Sequence, residues 1–246
     1  MKKILSIILC LAVVLCLAAC SGNNQPDSNP TDPSDTTTTQ APDADVLPVE
    51  YETILNNIVA AYPWNSENAD IVPGNPELSF MYVQSDELSD IGYALIDLDG
   101  NGQDELVISA VESPYAYDLY TISDGKAVHL FASGERYAHF LLENGYIELQ
   151  WSDSAAKSGH DFLKLNDGKL ELVERITLDA EHALNVGIIN DLAEANDSNC
   201  YFISSTDKTA DYVSVSAEEA NEKIESYQNA NAKLNVEYTL LSELNK

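Results

Sequence analysis

The stretch IGYALIDLDGNGQDELVI, Ile91 to Ile108, decides how this chain is read. Two apolar runs, Ile91 to Ile96 and Leu106 to Ile108, flank a short polar loop. Runs of this length and composition read as β-strands. Counted from Asp97, side-chain oxygens fall at positions one, three, five and nine: Asp97, Asp99, Asn101 and Glu105. Gln103, at position seven, offers its backbone carbonyl. Gly100 and Gly102 give the backbone the freedom to turn tightly. Converging oxygens suit a hard cation, and calcium takes several such ligands at once. The loop is not an EF-hand, because the twelfth position is Ile108, where that motif needs a bidentate Glu. The plainer alternative is a Gly-rich hairpin turn in an acidic protein.

Outward from the loop, the period is two. Strands are predicted near Phe80 to Val83, Tyr93 to Asp97, Glu105 to Ala110, Asp118 to Ser123 and Ala127 to Ala132. They continue at Ala138 to Glu143, Tyr146 to Trp151, Asp161 to Leu165 and Lys169 to Ile176. Asp124-Gly125, Asn144-Gly145 and Asp167-Gly168 sit between alternating runs, which is the strongest short-range hairpin signal. Before the strands, Tyr51, Ile54, Leu55, Ile58, Val59 and Tyr62 recur at helical spacing, and Pro63 ends that helix. A loop follows from Trp64 to Asn75. The stretch Leu178 to Ala195 fits either a helix or a loop with a strand. Cys200 to Ser204 reads as a short strand. Ser216 to Glu219 fits a capping box for a helix ending near Asn229. Leu234, Val236, Tyr238 and Leu240 alternate as in a last strand. The expected fold is mainly β (α+β): an antiparallel meander in a curved or partly closed sheet, with an N-terminal and a C-terminal helix packed on it.

The loop resembles the calcium loop of FG-GAP and VCBS-type repeats, which joins two strands. Ile91 to Ile108 as a whole resembles the hallmark stretch of small secreted lipoproteins of Firmicutes, a family of unknown function. The resemblance implies calcium held by Asp97, Asp99, Asn101, Gln103 and Glu105. One departure is Glu at the ninth position, where Asp is commoner, so the side chain reaches further. The motif occurs once, and one motif in about 200 residues cannot supply the repeated blades of a propeller.

The N-terminus points to the cell surface. Lys2 and Lys3 precede an apolar run, Ile4 to Ala19, too short to favour spanning a bilayer. Leu17-Ala18-Ala19-Cys20 resembles a bacterial lipobox, which implies cleavage before Cys20, lipid on its thiol and a membrane anchor facing outward. Residues 1–19 are then the signal peptide. Residues 20–48 are a tether of Ser, Asn, Pro, Asp, Thr and Gln, too poor in apolar groups to offset its own ordering entropy. Residues 49–246 form a single extracellular domain, long enough for a real core.

Without Lys2 and Lys3 the chain has ten basic and 41 acidic residues, a net charge of −31. Such a polyanion repels nucleic acid and anionic lipid headgroups. Cys10 and Cys16 leave with the signal and Cys20 carries lipid, so Cys200 has no partner for an intramolecular disulfide and reads as a small buried hydrophobe. His129, His139, His160 and His182 lack close metal spacing and read as ordinary strand and surface residues. Tyr115, Tyr117, Tyr120 and Trp151 read as core and sheet aromatics, with a ligand-stacking strip as the alternative.

No G-x-S-x-G, H-E-x-x-H, Walker loop or G-x-G-x-x-G occurs. The sequence therefore reads as a non-enzymatic, calcium-stabilised surface lipoprotein that binds an extracellular ligand: a glycan, a peptide or a surface protein. The rivals are a hydrolase built from scattered carboxylates and an accessory subunit of an envelope or transport complex.

Overall fold

Two of the three Asx-Gly turns close tight hairpins. Asp124 and Gly125 both take positive φ (52° and 69°), as do Asp167 and Gly168 (48° and 70°), the backbone that matches the twist of flanking strands. They join β3 (Asp118–Ser123) to β4 (Lys126–Ala132), and β7 (Lys157–Asn166) to β8 (Lys169–Asp179). The computed structural model describes residues 47–64, 78–196, 198–228 and 233–244. The expected signal peptide, Cys20, nearly all of the tether and most of the loop from Trp64 to Asn75 lie outside the described residues.

Among the described residues the fold is mainly β, with two antiparallel sheets and three helices. The five-stranded sheet contains β1 (Ile91–Ile96), β2 (Glu105–Ala110), β3, β4 and the two-residue β11 (Thr239–Leu240), in the order β11-β1-β2-β3-β4. The six-stranded sheet adds β5 (Tyr137–Leu141), β6 (Ile147–Ser154), β9 (Tyr201–Ser204) and β10 (Val213–Val215), in the order β10-β9-β8-β7-β6-β5. The meander thus changes sheet between β4 and β5. Ser133 holds this corner: its hydroxyl donates to Ala116 O at 2.5 Å, and Ala116 N–H donates to His139 O at 2.8 Å.

The helices are α1 (Val49–Ala60), α2 (Ala180–Asn185) and α3 (Ala217–Gln228). Alternate residues of β2 serve different cores, as the pleat requires. Leu106 and Ile108 are buried with Tyr51, Leu55 and Ile58 of α1. Val107 is buried with Leu119, Phe131, Leu141 and Ile147, a cluster that draws on both sheets. Ala220 of α3 is buried with Phe140, Phe162 and Ile176 of the six-stranded sheet.

Two expectations are corrected and one open reading is resolved. Phe80 to Val83 is not a strand but part of a 3₁₀ turn, Phe80–Gln84, because Ser79 Oγ caps Met81 N–H at 3.1 Å and the chain there is drawn onto Asp118. Leu178 to Ala195 holds the end of β8, then α2 and a 3₁₀ turn at Leu192–Glu194. Of the alternating run Leu234 to Leu240, only Thr239 and Leu240 pair in a ladder. Leu234, Val236 and Tyr238 alternate because they pack on the cluster between the sheets.

Candidate metal centre

β1 and β2 pair from Ile91 opposite Ala110 to Ile96 opposite Glu105, so the loop leaves and re-enters the sheet at adjacent points. Gly100 and Gly102 take φ of 77° and 87°, conformations that a β-carbon disfavours. The turn brings Asp97, Asp99 and Glu105 together, with one carboxylate oxygen from each within 4.8 Å of the others.

The loop's amides organise these carboxylates. Asp97 Oδ1 accepts from Gly100 N–H at 2.8 Å and Asn101 N–H at 3.1 Å, and its Oδ2 accepts from Gly102 N–H at 2.9 Å. Asp99 Oδ1 accepts from Asn101 N–H at 3.1 Å. Asn101 Oδ1 accepts from Gln103 N–H at 2.7 Å. Gln103 sends its side chain away from the turn, where Nε2 donates to Ile122 O at 2.8 Å.

Glu105 differs from the two aspartates in being fully buried. Its Oε2 accepts from Leu98 N–H and its Oε1 from the Thr121 hydroxyl, each at 3.0 Å. Burial pushes its carboxyl up to about 7, and the charges of Asp99 and Asp97 push the same way, against those two hydrogen bonds. Behind the loop, Tyr51 Oη of α1 donates to Asp104 O at 2.9 Å. A buried, oriented carboxylate facing two more carboxylates is an all-oxygen donor set, and it fits a hard divalent cation.

The other groups singled out in the sequence are placed as follows. Tyr117, Tyr120 and Trp151 are buried and Tyr115 is half-buried, so they belong to the cores. Cys200 is buried. Three histidines touch acidic residues that the spacing did not reveal. His129 Nε2 lies 2.8 Å from Asp118 Oδ1, His160 Nδ1 lies 2.6 Å from Glu148 Oε1, and His182 N–H donates to Asp179 Oδ1 at 2.8 Å. The β6–β7 register explains the second pair: it sets Gln150 opposite His160, so Glu148 stands one row away on the same face.

Among the described residues, no helix is long and apolar enough to cross a membrane. No protein-family model, curated protein or solved structure matches the chain.

Proposed function

We propose that this chain is a surface-anchored lipoprotein, lipidated at Cys20, whose β-rich domain is stabilised by one calcium ion and binds an extracellular ligand without catalysing a reaction. The observation that carries the reading is the convergence of Asp97, Asp99 and Glu105 between two paired strands. A cation there offsets their mutual repulsion and pins the loop to the sheet. Asn101 and the Gln103 carbonyl complete the set that the resemblance implies. The lipobox-like Leu17 to Cys20 and the likeness of Ile91 to Ile108 to Firmicutes lipoproteins support the outward-facing location. The two sheets are read as one curved, partly open meander, with α1 and α3 as its covers.

The test is thermal melting with calcium, magnesium and chelator. Extracellular calcium modules bind at about 0.1 to 1 mM. At a hundredfold excess over the dissociation constant, linkage adds about 2.7 kcal/mol, several degrees for a domain of this size. Calcium should raise Tm by that amount, magnesium by less, and Asp99→Ala should abolish the response in a domain that still folds. No heat on calcium titration, with a melting curve indifferent to chelator, would show that the loop is only a turn. In cells, Cys20→Ser should shift the protein out of the membrane fraction, and full retention there would remove the anchor from the reading.

A further inference from the structure

One face of the six-stranded sheet carries two rows of mixed polar and apolar side chains that the metal centre does not use. The register places Ala138, Gln150, His160 and Ile176 side by side across β5, β6, β7 and β8. Two residues along, Ser152, Ser158, Leu178 and Tyr201 form a second row across β6 to β9. Asn221 and Ile224 of α3 and the Glu135–Tyr137 corner wall these rows into a groove of about 390 Å³. That volume suits a small ligand.

One row along on the same face, opposite Phe162, lies Glu148, fully buried. It accepts from His160 Nδ1 at 2.6 Å, Gln150 Nε2 at 3.0 Å and Gln228 Nε2 at 2.8 and 3.0 Å. Burial pushes this carboxyl up, but those hydrogen bonds outweigh it and hold it below its ordinary range, so Glu148 is a carboxylate. A carboxylate only accepts. The His160 proton is therefore fixed on Nδ1, and Gln150 must turn its NH₂ to Glu148. The polar atoms left to these two groove-lining side chains are His160 Nε2, an acceptor in the neutral ring, and Gln150 Oε1, an acceptor always.

We propose that this groove is the ligand site of the protein and that it takes a neutral saccharide, whose hydroxyl groups donate to His160 and Gln150. The inference deepens the binding reading above and does not require the calcium ion. Gln150 Oε1, and His160 Nε2 in its neutral ring, present only acceptors to the groove, which disfavours a carboxylate ligand, itself an acceptor only. The protein's net charge of −29 opposes polyanions as well. Hydroxyls both donate and accept, so the same ligand also satisfies the serine hydroxyls and the Asn221 amide.

An extended peptide is disfavoured by the main chain. The strands under the groove spend their amides and carbonyls on each other. The outer edge of β5 is also taken: Tyr137 O, His139 O and Leu141 O accept from Gly134, Ala116 and Leu234 N–H at 2.7, 2.8 and 2.8 Å. Strand addition there has no partner groups.

The experiment is to screen the full chain on a printed array of neutral mono- to tetrasaccharides, with uronate and sialylated glycans and a peptide library as parallel arms. Neutral glycans should be retained, and the best of them then titrated calorimetrically. His160→Asn keeps an amide donor for Glu148 while removing Nε2. Ser158→Leu fills the groove away from Glu148. Each should weaken binding at least tenfold. Two independent variants keep the test alive if one fails to fold. A blank array, retention of only acidic glycans or peptides, or neutral-glycan binding indifferent to both groove variants overturns the proposal. A blank array together with a calcium-dependent Tm sinks the groove and spares the calcium reading. Glycan binding without a calcium response does the reverse.

Discussion

Asp118 ties three segments of the chain with one fully buried carboxylate. Both its oxygens accept from Ser79 N–H at 3.0 to 3.1 Å, Oδ2 accepts from Tyr82 Oη at 2.7 Å, and His129 Nε2 lies 2.8 Å from Oδ1. Burial pushes its pKa up, and His129, Tyr82 and Ser79 pull against that. Removing one side of a buried ionic and hydrogen-bonded set leaves the donors stranded and costs about 3 to 5 kcal/mol. Asp118→Ala should lose that much in urea unfolding. Asp118→Asn, which keeps an acceptor oxygen, should lose clearly less, and equal losses would show that the carboxylate is only a space filler. Nothing in the local sequence marks Asp118 apart from the other acidic residues, because its partners lie 11 to 39 positions away. The loop carboxylates were legible for the opposite reason: Asp97, Asp99 and Glu105 meet within one turn, where spacing alone fixes geometry.

At the scale of elements, the shortest described strand is β11, and Gly92 of β1 is where it rests. A β-carbon at Gly92 would lie 2.6 Å from Tyr238 Cβ and 3.1 Å from Thr239 O. Neither neighbour is the free end of a flexible side chain. Gly92→Ala should therefore push Tyr238 to Leu240 off β1 and cost about 1 to 3 kcal/mol. Hydrogen exchange should show Leu240 losing protection while β2 keeps its own. Unchanged exchange at β11 would mean that the edge adjusts freely. Most of this sheet was readable in the sequence. β2 and β3 fall at Glu105–Ala110 and Asp118–Ser123, as alternation and the Asp-Gly turn predict. The misread elements are those set by distant contacts. Phe80–Gln84 has a strand's composition but is bent onto Asp118, and β10, for which the sequence carries no assignment, pairs with β9. The His160–Glu148 pair was hidden for the same reason. Its members stand 12 residues apart, and the β6–β7 turn that joins them, Ala155-Ala156, carries no Asx-Gly signal.

Over the whole molecule, acid stability depends on a histidine that cannot take up its proton. His139 stacks on Phe131 at 3.8 Å, and its Nδ1 lies 3.0 Å from Ser133 Oγ. Burial, helped by the charge of His129, pulls it down to about 3. The unfolded chain protonates this ring near pH 6.5 and the folded chain does not. The stability it contributes is therefore complete above pH 6.5 and is lost as pH falls toward 3, by about 1.4 kcal/mol per pH unit for one proton. Glu105 acts oppositely in the ion-free protein, since its raised pKa favours the fold at low pH and costs stability as pH rises toward 7. The difference between wild type and His139→Gln cancels that contribution. From pH 6.5 to 4.5 the urea midpoint of the wild type should fall more steeply than that of the variant, and parallel profiles would clear His139 of the role.

The segment that follows α3 fastens both sheets. Lys233 bridges Leu142, Leu234 N–H reaches Leu141 O, and Thr239 and Leu240 pair with Tyr93 and Gly92. During synthesis this segment emerges after every strand it joins. A chain cut short before Lys233 leaves the Leu141 carbonyl and the outer side of β1 bare, two open strand edges of the kind that recruit other chains. Completion of the chain is thereby the step that seals the molecule against its neighbours, and an unfinished copy presents proteases with a form distinct from a finished one.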